Sequence, residues 1–304
     1  MEIIPFGKLY VMRNMLRLLI LFITACCTAL PDTAIAQQDS LKVLSWNIYM
    51  LPLSVKSVGQ AKRVQYIAEQ MNEADYDVIV FQEAFERHAR YRLSKLMRKD
   101  YPYQEGPANA KPSLLRMNSG VWILSKHPMK FLDELDYKRS SGVDKVARKG
   151  ALLVEVNKNG KKYHVAGTHL QAGASKKKDD IRHSQFQELQ QLLHQYEVAG
   201  VPQLVCGDFN TPMNDRKNYN LMLETLKVQD GPLESSLQYT YDAKENDLAA
   251  GGDYCEVLDY IFIKDNSNKV QCSKRKVIAF TAKWHEKRKH LSDHYAVEIM
   301  VISE

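Results

Sequence analysis

Short, unbroken apolar runs constrain this chain more than any other feature. Val78-Ile79-Val80-Phe81 and the run from Gln203 to Cys206 read as strands covered on both faces, because neither leaves a polar side for water. Such strands need a further layer on each side. Strand-like and helical stretches alternate around them. Leu41 to Ile48, Leu258 to Ile263 and Tyr295 to Ile302 read as strands, and Gly120 to Ser125 and Lys130 to Tyr137 as an adjacent pair. Asn157-Lys158-Asn159-Gly160, between Ala151 to Val156 and Tyr163 to Thr168, marks a hairpin, because Asn-Gly tolerates positive φ. Gln60 to Met71 sets Val64, Ile67, Ala68 and Met71 on one helical face, and Ile181 to Leu193 does the same with Phe186, Leu189, Leu192 and Leu193. Glu86 to Arg98 and Asn218 to Leu226 are further helices. Lys176-Lys177-Lys178-Asp179-Asp180 reads as a solvated loop with Asp180 near an N-cap. Hairpins mixed with covering helices predict two packed sheets flanked by helices, in one domain of about 265 residues.

Composition excludes several alternatives. The 304 residues are 45% hydrophobic and 26% charged, inside the globular range. A mean hydropathy of -0.39 argues against a multi-span membrane protein. Arg13 and Arg17 precede the apolar run Leu18 to Ile23, and Ala34-Ile35-Ala36 closes it with a small-x-small site. That is the pattern of a secretory signal peptide over residues 1–36, too short for the roughly 20 residues of a bilayer span. The mature chain then runs from 37 to 304 and leaves the cytosol. Ile23-Thr24-Ala25-Cys26 competes as a lipobox that would make an outer-membrane lipoprotein through Cys26. The net charge of +6 becomes +5 once Lys8, Arg13, Arg17, Glu2 and Asp32 are removed. Cys206 is expected as a buried thiol, while Cys255 and Cys272 are placed where they could pair.

The strand ends carry the chemistry. They deliver Trp46-Asn47, Gln82-Glu83, Gly167-Thr168-His169, Gly207-Asp208-Phe209-Asn210, Leu258-Asp259-Tyr260 and Ser292-Asp293-His294. Each alone is an ordinary strand terminus. Together, hard oxygen donors and two histidines suit Mg²⁺ and proton exchange near neutral pH, the requirements of phosphate-ester hydrolysis. Zinc is disfavoured, since no Cys/His pair has its usual ligand spacing.

These six motifs, in this order, resemble the endonuclease/exonuclease/phosphatase superfamily, which includes deoxyribonuclease I, inositol polyphosphate 5-phosphatases and neutral sphingomyelinases. The resemblance implies a deoxyribonuclease I-like α/β fold, a four-layer α/β/β/α sandwich, spanning nearly the whole mature chain. Several stretches are similar to bacterial secreted sphingomyelinase C. They are Asn47-Ile48-Tyr49-Met50-Leu51-Pro52, Lys149-Gly150, His164 through Ala172, the helix bearing Arg182, Gln185, Glu188, Leu189 and Gln190, Thr240-Tyr241-Asp242, and Ser292-Asp293-His294-Tyr295. Asp144-Lys145 resembles an Asp-Lys pair of animal neutral sphingomyelinases. In place of the long aromatic hairpin of the bacterial toxins, residues 280–290 offer Trp284 amid Lys283, Lys287, Arg288 and Lys289. Trp284 is read either as a lipid-interface residue or as a core residue.

The resemblance implies hydrolysis of sphingomyelin to ceramide and phosphocholine. It places Mg²⁺ on Glu83, with Asn47 close by and Asp208 and Asp293 sharing metal or water coordination; Mn²⁺ or Co²⁺ would substitute. It makes His294 the general base oriented by Asp259. His169 becomes the donor to the phosphate or leaving group, and Asp208 and Asn210 position water and phosphate oxygens. The implied partner is a membrane sphingolipid met by a monomer, with no nucleic acid. A secreted Mg²⁺-dependent endonuclease of the same superfamily is the rival, which net +5 permits weakly.

Overall fold

The computed structural model describes residues 40–110, 117–265, 270–272 and 275–303. The signal peptide expected over residues 1–36 and the lipobox at Cys26 lie outside them. In chain order the described elements are β1 (Ser40–Met50), α1 (Gln60–Ala74), β2 (Val78–Ala84), α2 (Arg87–Met97), β3 (Tyr103–Glu105), β4 (Trp122–Ser125) and β5 (Met129–Asp136). After a 3₁₀ turn at Gly142–Lys145 come β6 (Gly150–Lys158), β7 (Lys161–His169), α3 (Lys176–Gln195), β8 (Gln203–Asp208) and α4 (Arg216–Leu226). The chain continues through β9 (Gln229–Asp230), β10 (Tyr241–Asp242), β11 (Cys255–Glu256), β12 (Asp259–Lys264), β13 (Val270–Cys272), β14 (Lys276–Ile278) and β15 (Ala296–Ser303).

The apolar runs form strands, and the strands sort into two large sheets. The first has the order β13-β15-β1-β2-β4-β3, with β14 also paired to β15. The second has the order β5-β6-β7-β8-β12-β9. Their inner faces make one buried cluster, in which Val43, Val78, Val80 and Ile123 face Leu152, Val154, Val165, Leu204 and Ile261. Trp46, Ile79 and Phe81 on the outer face of the first sheet cover Val64, Ile67 and Met71 of α1 and Leu93 and Met97 of α2. Leu153, Ala166, Val205 and Phe262 on the outer face of the second cover Phe186, Leu189 and Leu193 of α3 and Met222 and Leu226 of α4. The result is the expected α/β/β/α stack. It explains why β2 and β8 are apolar on both faces: each lies between another sheet and a helix layer. Among the described residues, no helix is long and apolar enough to cross a membrane.

Two expectations change in detail. β4 and β5 follow one another in the chain but belong to different sheets; both sheets present the same apolar inner face, so local pattern cannot assign a strand to one of them. The lysine run 176–178 is the first turn of α3, not a loop before it, and Ser175 rather than Asp180 is the N-cap. Cys255 is a free thiol whose Sγ–H donates to Asp242 Oδ1 at 3.2 Å, and the side chain of Cys272, its suggested partner, lies outside the described ones. The hairpin stands as expected, with Asn159 and Gly160 both at positive φ (54° and 90°) between β6 and β7.

Strand direction fixes where the polar ends go. β1 and β2 are parallel, as are β7 and β8, whereas β15 runs antiparallel to β1 and β12 antiparallel to β8. The C-terminal ends of the first four and the N-terminal ends of the last two therefore share one edge. Gly167 lets the sheets close there, since a Cβ at that position would stand 2.7 Å from Val80 Cγ1 and 2.8 Å from Val121 Cγ1. Gly167→Ala is expected to destabilise the fold by about 1–3 kcal/mol, the cost of overpacking a filled core. A denaturant midpoint indistinguishable from wild type would contradict this close approach.

Candidate active site

Asp208, at the end of β8, is the centre of the site. It is 2% exposed and receives the Asn47 amide (Nδ2 to Oδ2, 3.2 Å) from the other sheet. His169 Nε2 lies 3.3 Å from Asp208 Oδ2 and His294 Nε2 lies 3.8 Å from the same oxygen. Burial alone would raise the Asp208 carboxyl. The two imidazoles and the Lys149 ammonium outweigh it and hold the group well below the usual carboxylate range. Asp208 Oδ1 accepts from the backbone N–H of Asn210 at 2.9 Å, and Asn210 Nδ2 donates to the Leu170 carbonyl at 3.1 Å.

His294 is gripped from behind. Its Nδ1 lies 2.8 Å from Asp259 Oδ2, so Nδ1–H donates to that carboxylate and Nε2 is left for the cleft. The Tyr241 ring stands edge-on against the imidazole with centroids 5.0 Å apart. Burial disfavours the imidazolium, yet Asp259, Asp208 and Asp293 raise its proton affinity well above the ordinary histidine value. Asp208, Asp259 and His294 offer donor atoms that all lie within 4.8 Å of one another. Within that group Asp259 Oδ2 and His294 Nδ1 are hydrogen-bonded to each other.

The other acids lie on the first sheet. Glu83 ends β2 in left-handed backbone geometry (φ 56°), and its Oε2 is buried without a hydrogen-bond partner. Asp293 is buried, and its carboxyl is pushed up to about 7 by burial first and then by Glu83 and Asp208, against His294 and Arg63. An orphaned carboxylate oxygen and carboxylates crowded enough to hold a proton are the donor set of a hard divalent cation. The Asn47 amide is more committed than expected: besides its bond to Asp208, its Oδ1 accepts from Tyr49 N–H at 3.1 Å.

The fold adds residues that the strand-end pattern did not single out for chemistry. Lys149 is buried one residue before β6, in hydrogen-bond contact with His169 Nε2 and 3.5 Å from Asp144 Oδ1. Asp144 therefore pairs with Lys149, and the sequence neighbour Lys145 is exposed. The available signal was the Lys149-Gly150 stretch, similar to bacterial sphingomyelinase C. Arg63 of α1 is fully buried and donates to the carbonyls of Ile48, Tyr49, Val58 and Leu291. It ties the end of β1 to the segment that carries His294. Burial first lowers its guanidinium to about 10, with Asp293 opposing.

Trp284 takes the core reading. It is 8% exposed, donates Nε1–H to the His290 carbonyl at 2.8 Å, and packs on Gly59, where a Cβ would meet the indole at 2.4 Å. The indole is therefore not available to a lipid interface. Its exposed chain neighbours are Lys283, His285, Glu286, Lys287, Arg288 and Lys289, and Leu53 (60% exposed) and Val55 (62%) are exposed on the loop after β1.

A two-sheet stack with paired histidines, buried carboxylates and an orphaned glutamate along one edge defines a class of phosphoesterase. The sequence profile of the Endonuclease/Exonuclease/phosphatase family matches residues 44–294, and the chain belongs to that family. More particularly, it is 32% identical over 258 residues to sphingomyelinase C 2 of Leptospira interrogans, a match covering 77% of this chain but 41% of that protein. It is 29% identical over 290 residues to a phospholipase C of Staphylococcus aureus, covering 85% and 86% of the two chains. A crystal structure of a Staphylococcus aureus beta toxin variant with bound magnesium ions superposes with a TM-score of 0.76 at 27% identity, covering 88% of this chain and all of that one.

Asp293 binds its proton more tightly folded than unfolded. Stability linked to it is thus present at acid pH and is lost as pH rises from the ordinary carboxylate range through about 7. In chelated protein, Asp293→Asn should raise Tm at pH 8 more than at pH 5, read by scanning calorimetry. An equal or opposite change at the two pH values would refute the crowding of these carboxylates.

Proposed function

We propose that the chain is a Mg²⁺-dependent phosphodiesterase that hydrolyses sphingomyelin to ceramide and phosphocholine. The observation that carries this is the convergence of His169 and His294 on one buried carboxylate, Asp208, beside the unpartnered oxygen of Glu83. The relatives named for sphingomyelinase and phospholipase C activity support the substrate class.

The residues then have distinct tasks. Glu83, with Asn47, Asp208 and Asp293 around it, would hold the cation, and Mn²⁺ or Co²⁺ would serve in its place. A divalent cation there supplies a Lewis acid for a phosphoryl oxygen and positive charge against the crowded carboxylates. With the carboxylates that raise its proton affinity offset by the bound cation, His294 takes a proton from the attacking water at Nε2, and Asp259 stabilises the imidazolium that results. Asp208 and Asn210 orient water and phosphoryl oxygens. Lys149 and His169 donate to the phosphoryl group, and His169, entering the step protonated, gives that proton to the departing ceramide alkoxide while His294 keeps the one taken from water. Donors fixed in a dry, preorganised site stabilise the added negative charge of the transition state without reorganising.

The reading extends to the whole protein. The mature chain starts at Gln37, is secreted or periplasmic, and works as a monomer; acylation at Cys26 is the competing export route. The exposed basic loop around Trp284, with Leu53 and Val55, meets the lipid surface in place of the buried indole.

The test incubates the protein with sphingomyelin, phosphatidylcholine and plasmid DNA, with Mg²⁺ or chelator. Ceramide release that chelator abolishes is expected, and DNA nicking without lipid turnover would establish the endonuclease reading instead. His294→Ala and Glu83→Ala should each lower turnover by about a hundredfold or more, the scale of a lost general base. Activity within a few-fold of wild type in either variant would sink the assignment.

A further inference from the structure

The loop between β5 and β6 encloses a hollow of about 590 Å³ against the first turns of α3, with Lys138, Arg139, Lys145 and Lys177 in its wall and no acidic side chain among its described lining. Those four side chains are exposed, and among the described residues no ion pair involves Lys138, Lys145 or Lys177. Arg139 makes one long contact, from Nη1 to the Asp180 carbonyl at 3.4 Å. The acids nearby in sequence do little to offset this charge. Asp144 is buried against Lys149, and Asp179 is half-buried and ion-paired with Arg182. Asp180 alone is exposed, against the four cations of the wall and the exposed Lys176.

The tip of the loop is apolar. Val143 is 84% exposed, more than any other large apolar side chain among the described residues, and Val146 is 47% exposed. At i and i+3 of a 3₁₀ turn they share one side. Gly142 precedes them at φ 62° and has open space around it. The base is fixed: Ser141 N–H donates to Gln171 Oε1 at 2.7 Å, the Ser141 carbonyl accepts from Gln171 Nε2 at 3.3 Å, and Val146 N–H donates to the Val143 carbonyl at 3.1 Å. A single exposed valine needs no explanation. Two on one side of an anchored turn, backed by unpaired lysines, are what a lipid surface uses: the aliphatic tip enters the acyl boundary while the ammonium groups meet head-group phosphates. A nucleic acid or an acidic peptide would need the charges but not the valines. The loop leads into β6, whose Gly150 pairs in register with His169, so it stands on the edge that carries the catalytic cleft.

We propose that the β5–β6 loop, with Val143 and Val146 at its tip and Lys138, Arg139, Lys145 and Lys177 behind them, is a docking surface for membranes rich in anionic phospholipid. It is a different segment from the basic loop around Trp284, and it gives the chain a preference for anionic lipid that sphingomyelin hydrolysis does not itself require.

The binding test sediments the purified protein with vesicles of phosphatidylcholine, alone or mixed with phosphatidylglycerol. No sphingomyelin is present, so the readout is independent of turnover. Wild type binds the mixed vesicles more tightly, and sodium chloride weakens that binding. Lys145→Gln/Lys177→Gln weakens it by about tenfold or more, the weight of two basic side chains near an anionic surface. Val143→Ser weakens it several-fold. Melting curves confirm that the variants are folded. Equal binding to the two vesicle types, or binding unmoved by either variant, would overturn the docking surface. So would binding to plasmid DNA that falls in the lysine variant while vesicle binding does not. In a turnover arm that rests on the proposed function, phosphatidylglycerol speeds hydrolysis of vesicle sphingomyelin by wild type. The lysine variant loses that gain yet hydrolyses a water-soluble phosphocholine ester at the wild-type rate; an equal loss on the soluble ester would overturn the docking role. If no lipid is hydrolysed but the binding preference still depends on Lys145, Lys177 and Val143, the docking surface stands and the substrate assignment falls.

Discussion

One buried charge organises this molecule. Asp208 sits at the end of a central strand, almost without solvent, and stays ionised because His169, His294 and Lys149 surround it and the amides of Asn47 and Asn210 donate to it. These groups come from both sheets and from opposite ends of the chain. An ionised carboxylate in such a place is costly unless its partners are all present. The stack of sheets, their common edge and the loops that shape it therefore serve a single electrostatic constraint. Removing the partners one by one would leave a charge that the interior cannot hold.

The same edge is held together from outside by groups with no chemistry of their own. Arg63 spends its donors on the carbonyls of Ile48, Tyr49, Val58 and Leu291, and so sets the spacing between the β1 end and the segment bearing His294. Trp284 closes against Gly59 close to that clamp. Thr240 accepts from the backbone N–H groups of Leu258 and Asp259 through its hydroxyl, and its carbonyl receives Tyr295 N–H. That links the strand carrying Asp259 to the one following His294, and holds Tyr241 against the imidazole. Backbone satisfaction and catalytic geometry are here the same set of hydrogen bonds.

Much of this was legible along the chain. Val78 to Phe81 and the run from Gln203 to Cys206 read as strands sheathed on both sides, and they are. The chemistry-bearing residues stood at strand ends because a sheet edge is where backbone stops and side chains can converge. Other features were invisible for physical reasons. Whether β4 and β5 share a sheet depends on long-range pairing that local alternation does not encode. Asp144 meets Lys149, Gln171 and the Ala172 N–H only because a 3₁₀ turn brings it there, which spacing does not show. Trp284 sits among five exposed basic or histidine side chains, and only the left-handed glycine beneath its ring makes it a core residue.

By itself the sequence determined the composition of the site and the periodicities that make the sheets and helices, because hydrophobic pattern and strand termini are local properties. It also determined the family, through six motifs in a set order. The tertiary structure alone decided the charge state of Asp208, the orphaned oxygen of Glu83 and the edge-on contact of Tyr241 with His294. Each of these depends on which groups from distant segments meet in a low-dielectric space, and proton affinity, desolvation and ring geometry are set by that meeting and not by the residue itself.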